Sequence, residues 1–178
     1  MTSSCCAGTE ADVTQIPHDE ASAPGVETEV TTGYLMMPDQ ANHLGNIHGG
    51  YVLKLIDQTA ALCACRYTRS ECVTASVDRV DFKSPIAVHN FVKMHAKLHF
   101  TGRTSMEIEV QVTAEDLLSG RVTHTNTCHV TMVAVDEHMK PHPVPPWTPV
   151  TERDRALHAE AAERRQLRLE AKGRDRTH

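Results

Sequence analysis

The sequence predicts an α+β fold in which one helix lies on an antiparallel sheet. The run from Gly50 to about Tyr67 carries apolar residues at intervals of three and four, which is typical of an amphipathic helix. Four stretches rich in β-favouring residues follow this run, and one precedes it. Because each element has one apolar face to bury, the helix is expected to pack on the sheet.

The chain before the helix divides into three parts. Residues 1 to 27 are rich in Ser, Thr, Ala, Asp, Glu and Pro with few large apolar side chains, which predicts disorder. Residues 28 to 37 contain Val, Thr and Tyr and predict the first strand. Residues 38 to 50 contain Pro38, several polar residues and a Gly-Gly pair, and they predict a loop that leads into the helix.

The helix carries one carboxylate, Asp57, at the border of its apolar face. The residues expected to face the sheet are Val52, Leu53, Ile56, Ala60 and Ala64. On a helical wheel Asp57 projects about 40° from Leu53, and a buried acid is costly unless it is paired or used. An edge carboxylate bonded to neighbouring backbone is one interpretation. The glycines at the helix start, where unpaired amides face a ligand, favour a functional acid instead.

Four further strands are expected after the helix, over residues 72 to 82, 88 to 100, 104 to 114 and 121 to 135. The alternation breaks after Val77, which can mark a bulge. Short turns join the later strands. The four strands are therefore predicted to form one meander.

The C-terminal part is predicted to leave the sheet. Residues 141 to 146, Pro-His-Pro-Val-Pro-Pro, are expected to stiffen the chain away from it. Residues 151 to 172 are helical by composition and heavily charged, which favours a solvated terminal helix over a recognition helix. The predicted organisation is thus a disordered segment (1–27), a globular domain (28–140) and a Pro-rich linker with a charged helix (141–178).

Composition excludes several classes of function. The net charge of −5 argues against a nucleic-acid-binding surface. No window approaches the ~18 apolar residues of a membrane span, and the amino terminus lacks the basic and apolar parts of a secretory signal. Six cysteines without a CxxC pair and twelve scattered histidines predict reduced thiols, a cytoplasmic location and no metal site.

Two motifs resemble the hotdog-fold acyl-CoA thioesterases, in particular the broad-specificity bacterial acyl-CoA hydrolases and their mammalian cytosolic relatives. The first is Asn42-x-x-Gly-x-x-x-Gly49-Gly50 with Asp57 seven residues later; the second is the Gly-Arg-Thr-Ser-Met turn that begins at Gly102. The resemblance covers roughly residues 30 to 136. It implies one long central helix wrapped by a five-stranded antiparallel sheet, and hydrolysis of acyl-CoA to free acid and coenzyme A without a cofactor.

The same resemblance implies roles for individual residues. Asp57 would be the general base or the nucleophile, and the Gly49 N–H would polarise the thioester carbonyl. Gly50 would allow the close approach, and Asn42 would face the acid from a partner subunit. The acid and the glycine amides of the helix are expected to converge on one carbonyl. Coenzyme A would meet Arg79, Lys83, Gly102, Arg103, Thr104 and Ser105.

His48 stands where close relatives carry a bulky apolar or aromatic residue. It is expected either to hold the loop through a backbone hydrogen bond or to contact the thioester, and it is counted among the substrate-binding candidates. The resemblance also implies dimers with a continuous sheet and sites at the interface. Further assembly into hexamers is expected.

Two other functions fit parts of the pattern. His43 lies fourteen residues before Asp57, a spacing that hotdog dehydratases of hydroxyacyl thioesters also show, although the proline-rich surroundings of their histidine are missing. A non-catalytic acyl-CoA sensor is the second alternative. Retention of Asp57 argues against it, because a binding module gains nothing from a carboxylate beside a thioester.

Overall fold

The structure, a computed structural model, describes residues 25–175, with side chains to residue 171. It consists of strands β1 (Glu29–Leu35), β2 (Cys72–Val77), β3 (Phe91–Thr101), β4 (Ser105–Asp116) and β5 (Arg121–Ala134), and helices α1 (Gly49–Thr68) and α2 (Glu152–Asp175). The predicted α+β class is confirmed. The predicted disorder falls almost wholly on residues outside the described range. No helix within that range is long and apolar enough to cross a membrane.

The five strands form one antiparallel sheet in the order β1-β3-β4-β5-β2. The predicted four-strand meander is wrong in one respect, because β2 pairs with β5 and not with β3. The connection between β2 and β3, residues 78 to 90, is far longer than a hairpin turn and carries the chain to the opposite half of the sheet. Both β1 and β2 are therefore edge strands.

Helix α1 crosses one face of the sheet, here called the inner face. Its buried residues recur at helical spacing and include Val52, Ile56, Ala60 and Ala64, as predicted. Leu53 is an exception with 38% exposure, while Leu55 is buried at 3%. Leu53 lies one turn before Asp57 on the same flank of the helix.

Strand β2 is shorter than expected and ends at Val77 instead of residue 82. Its register shifts between Thr74 and Ser76, so the bulge precedes the position inferred from the alternation. The alternating apolar residues Val80 and Phe82 lie outside the sheet, in the long connection. The alternating apolar pattern continues from β2 into this connection, so the pattern alone does not show where the strand ends.

Helix α2 covers the opposite, outer face of the sheet, and the expectation that it is solvated is wrong. Ala161 is fully buried, and the Glu107 carboxylate of β4, 2% exposed, accepts hydrogen bonds from Arg164 (2.8 Å) and Arg168. Lys97 of β3 donates to Asp154 at 2.8 Å. Charged residues on this helix thus act as docking contacts.

The Pro-rich segment follows the sheet and does not lead away from it, contrary to the expectation. The N–H of His142 donates to the carbonyl of Ala134, and that of Val144 donates to the carbonyl of Arg103, both at 3.0 Å. The Trp147 N–H donates to the Thr101 side chain at 2.9 Å. Prolines lack their own N–H but leave these neighbouring amides free to bond, so the segment carries α2 onto the outer face.

Candidate active site

At the start of α1, one backbone N–H has no hydrogen-bond acceptor among the described residues. His48 is the N-cap, and its Nδ1 accepts a hydrogen bond from the Gly50 N–H at 3.1 Å. Of the two roles considered for His48, this contact favours the one that holds the loop. Among residues 25–175, the Gly49 N–H has no acceptor. Because the helix dipole also favours negative charge at this end, the Gly49 amide is the one suited to polarise a carbonyl.

A cavity of about 320 Å³ opens beside this amide. Gly49, Asn42 and Lys83 line it, together with apolar residues that include Val52 and Phe82. A Cβ at Gly49 would stand 3.6 Å from the Phe82 ring, so the cavity wall approaches the backbone closely there. Three of the residues singled out from the sequence therefore share one concave site.

The Asn42 side chain shapes the loop that ends at α1. Its Oδ1 accepts hydrogen bonds from the backbone N–H groups of Leu44 (2.9 Å) and Asn46 (3.3 Å). The side-chain amide group of Asn42 has no acceptor within the described chain. This arrangement fixes the side chain and leaves two N–H donors for another partner, and Asn42 is one of the residues that line the cavity.

Asp57 is half-buried beside the edge strand β2, where the Thr74 hydroxyl donates to its Oδ1 at 2.5 Å. Thr74 lies immediately before the β2 bulge. A hydroxyl bonded to one carboxylate oxygen fixes the side chain and leaves the second oxygen for a water or a substrate. Thr74 is absent from the residues predicted from the sequence.

The expected convergence of acid and amide does not occur within one chain. Gly49 and Asp57 lie eight residues apart on the same helix, which corresponds to about 12 Å along its axis. A carbonyl that accepts a hydrogen bond from Gly49 is therefore out of reach of the same helix's carboxylate. The Asp57 side chain is also absent from the cavity that holds Asn42 and Gly49.

The predicted coenzyme A residues divide into two groups. Lys83 lines the Asn42 cavity and bonds through its N–H to the Thr125 carbonyl. The hairpin residues Gly102, Arg103, Thr104 and Ser105 lie at the other end of the sheet, where Ser105 pairs with Val133. Thr125 and Val133 are eight residues apart on β5, or about 27 Å. Arg79 is exposed, is paired with Asp81 at 3.0 Å and does not line the Asn42 cavity.

A basic residue not predicted from the sequence joins the hairpin group. Arg165 of α2 lies over the Phe100 ring, 5.8 Å from its centre, and its Nε would stand 3.5 Å from a Cβ at Gly102. Together with Ser105 it lines a cavity of about 150 Å³ between α2 and the sheet. Arg165 was missed because its helix was expected to be solvated.

Comparison with known proteins agrees with this architecture. The Thioesterase superfamily matches residues 44–120. VdlD of Helicobacter pylori is 40% identical over 141 residues, which cover 79% of this chain and 80% of VdlD. YkhA of Bacillus subtilis, named an uncharacterized acyl-CoA thioester hydrolase, is 36% identical over 138 residues, covering 78% of this chain and 80% of YkhA. An apo hexameric acyl-CoA thioesterase is 42% identical with a TM-score of 0.78, covering 84% of this chain and 96% of its own.

A crystallised acyl-CoA hydrolase of Staphylococcus aureus bears on the site itself. It is 26% identical with a TM-score of 0.77, covers 87% of this chain and 94% of its own, and was crystallised with butyryl coenzyme A and coenzyme A. It was also studied as alanine variants of an asparagine, an aspartate and a threonine. Fifteen residues separate its asparagine from the aspartate and seventeen separate the aspartate from the threonine. The same intervals separate Asn42, Asp57 and Thr74.

A long helix wrapped by a five-stranded antiparallel sheet defines the hotdog class, as predicted. Within that class, this chain belongs to the thioesterase superfamily and is a thioester hydrolase.

The Thr74 contact leads to a testable expectation. Thr74→Val is expected to lower kcat about 10- to 100-fold, because a hydrogen bond to a charged group contributes about 1.5–3 kcal/mol. Since Thr74 acts through Asp57, KM should change little and Thr74→Ser should retain most of the activity. Steady-state kinetics measure both effects. Thr113→Val, on β4, is the matched control, and equal kcat values for Thr74→Val and this control would contradict the assignment.

Proposed function

We propose that the protein hydrolyses acyl-CoA thioesters, with Asp57 as the acid that activates water or attacks the carbonyl carbon. The observation that carries the proposal is the Asp57 carboxylate fixed by Thr74 next to an open edge strand, at the sequence intervals described above. The named activity of the relatives supports the substrate class.

The chemistry requires three contributions from the chain. The Gly49 N–H bonds the thioester oxygen and stabilises the negative charge that develops there. In the general-base route, Asp57 takes a proton from water as the water oxygen forms its bond to the carbonyl carbon. The carbon–sulfur bond then breaks, and the proton reaches the departing thiolate. In the nucleophilic route, the Asp57 carboxylate attacks the carbonyl carbon and the carbon–sulfur bond breaks, which releases the coenzyme A thiolate and forms an anhydride. Water then hydrolyses the anhydride to the free acid and restores the carboxylate.

A second copy of the chain resolves the separation of about 12 Å between Gly49 and Asp57 along α1. One edge of strand β2 is unpaired among the described strands, and Leu53 of α1 (38%), Val77 of β2 (45%) and Phe82 of the following connection (47%) are exposed apolar residues. Pairing of two β2 edges about a two-fold axis would continue the sheet and cover these residues. It would also bring Asp57 of one subunit toward the cavity of the other.

The same pairing would unite the divided coenzyme A residues. A two-fold axis at the β2 edge sets the hairpin end of one sheet against the Lys83 end of the other. Arg103 and Ser105 would then share a site with Lys83, and basic groups suit the phosphates of coenzyme A. Assembly of the dimers into a hexamer is proposed from the hexameric structures of related thioesterases. The cytoplasmic location stays a prediction.

Release of free coenzyme A from a panel of acyl-CoAs, from acetyl to palmitoyl, tests the function. Hydrolysis of at least one member, with no added metal or redox cofactor, is the expected result. Two other results would overturn the proposal. Hydration of crotonyl-CoA without hydrolysis would identify a dehydratase, and stoichiometric acyl-CoA binding without turnover over hours would identify a sensor.

A further inference from the structure

Three side chains with metal-binding chemistry meet on the outer face of the sheet, away from Asp57 and Asn42. His99 of β3, Glu109 of β4 and His129 of β5 place one ligand atom each within 4.8 Å of the others. Glu109 and His129 are direct partners across the β4–β5 ladder. His99 is the extra residue of a bulge between Leu98 and Phe100, and it lies buried on the face covered by α2. Adjacent strands therefore fix all three positions.

We propose that His99, Glu109 and His129 form a binding site for one divalent transition-metal ion of the Zn²⁺ type, distinct from the thioesterase site. Two imidazoles and one carboxylate are a ligand set that suits Zn²⁺. Such a set with three protein ligands leaves at least one position for water.

The distances need little adjustment. In a tetrahedral zinc site the ligand atoms stand about 3.4 Å apart, because each lies about 2.1 Å from the ion. His129 Nε2 and Glu109 Oε2 already stand 3.3 Å apart. Gln111 donates to the other carboxylate oxygen of Glu109 at 2.7 Å, which orients Oε2 toward the two histidines. Only His99 has to approach, and because its ligand atom lies within 4.8 Å of the other two, the movement is at most about 1.4 Å.

His99 supplies an independent reason to expect a ligand. It is 1% exposed, and its Nδ1 is buried without a hydrogen-bond partner among the described residues. A buried polar atom left unpaired costs about 1–3 kcal/mol, so such an atom calls for an explanation. A metal ion held by the His99 ring would order that ring and its neighbours.

His129 and Glu109 already contact each other through the atoms that would bind the ion. His129 Nε2 lies 3.3 Å from Glu109 Oε2 and donates its hydrogen there in the absence of metal. An ion bound to both atoms would displace that hydrogen, so metal binding is expected to release a proton.

Space for the remaining ligand exists beside the cluster. A cavity of about 320 Å³ is lined by His99 and Glu109 together with Thr151 and Asp154 at the start of α2. Two cationic side chains also line this cavity: Lys97, which is paired with Asp154, and the exposed Arg153. A bound ion with its water would therefore link strands β3 to β5 to the underside of α2.

Titration of metal-free protein with Zn²⁺, followed by calorimetry, tests the proposal. We expect one tight Zn²⁺ per chain and a rise in Tm of about 5–10 °C at a free concentration a hundred times Kd. His129→Gln and Glu109→Gln should each weaken binding at least tenfold, and Gln111→Leu about tenfold or more. His138→Gln, whose side chain is 71% exposed, is the matched control and should bind like the wild type.

Co²⁺ spectroscopy separates this site from the cysteines. Visible d–d bands without a thiolate-to-metal charge-transfer band are expected, and they should disappear in His129→Gln. Three results would overturn the proposal. They are the absence of stoichiometric Zn²⁺ binding, unchanged Zn²⁺ affinity in both His129→Gln and Glu109→Gln, and a thiolate-to-metal band that persists in these two variants. Far-UV circular dichroism confirms that each variant is folded. His99→Ala serves only as a further test, because its site is fully buried.

Discussion

Asp57→Asn is expected to lower kcat for acyl-CoA hydrolysis by about 10²- to 10⁴-fold, with a much smaller change in KM. Asparagine keeps the shape of the side chain and accepts the Thr74 hydrogen bond, but it neither takes a proton from water nor attacks the carbonyl. Release of coenzyme A under saturating substrate measures the effect. Glu163→Gln, an exposed carboxylate of α2, is the control and should leave kcat unchanged.

The same variant tests the two-subunit site. Asn42→Asp keeps the oxygen that accepts from Leu44 and Asn46 but loses the side-chain N–H donors. We expect this variant to be inactive too, because these donors would position the substrate or the water. When inactive Asp57→Asn and Asn42→Asp chains are refolded together, half of the dimers are mixed and one of their two sites is intact, so about a quarter of the wild-type activity should return. No recovery in mixtures that form mixed dimers would place the whole site within one chain. An Asp57→Asn enzyme that keeps more than about a tenth of kcat would remove the acid from the mechanism.

Replacing both Arg164 and Arg168 with methionine is expected to lower the free energy of unfolding by about 3–5 kcal/mol. The double variant leaves the Glu107 carboxylate, 2% exposed, between the sheet and α2 without either of its partners. A buried charge that has lost its partners is far more costly than the intact group of charges. Equilibrium urea denaturation measures the loss, and faster proteolysis of α2 would show where the chain opens.

Two further variants separate this effect from simple loss of surface charge. Adding Glu107→Leu to the double variant should restore most of the stability, because an apolar replacement of the whole group leaves no charge buried. Glu160→Gln removes only an exposed partner of Arg164 and should cost less than about 0.5 kcal/mol. If the free energy of unfolding of the Arg164/Arg168 double variant lies within about 1 kcal/mol of the wild-type value, the contacts of these arginines with Glu107 do not hold α2 on the sheet.

Much of the fold follows from local patterns, and the exceptions come from long-range contacts. The 3.6-residue period located α1 to within a residue or two at each end, because its buried face is long and continuous. The pairing of β2 with β5 was not predictable from alternation, which identifies a strand but not its neighbour. The docking of α2 was missed for a related reason. Its arginines meet a single buried acid, Glu107, that looks like any other charged residue in the sequence.

The residues of the candidate site also fall into two groups, those that a local sequence motif identifies and those that only the folded structure brings together. Gly49, Asn42 and Asp57 stand in a recognisable local motif, so the sequence identifies them. Thr74 does not, because a threonine in a strand carries no signal until the strand is placed beside the helix. The His99–Glu109–His129 cluster is likewise invisible at intervals of ten and twenty residues, and it arises only from the register of three strands.

The alkylation rates of the two fully buried cysteines, Cys63 and Cys128, report local opening of the core. Burial raises the pKa of Cys63 to about 12 and that of Cys128 to about 11. At pH 8 only about one thiol in ten thousand for Cys63, and one in a thousand for Cys128, is then in the reactive thiolate form. Alkylating reagents will therefore modify these two positions only during moments when the helix lifts from the sheet. The rate at which they are alkylated therefore measures how often the native state opens locally, and no engineered cysteine is needed.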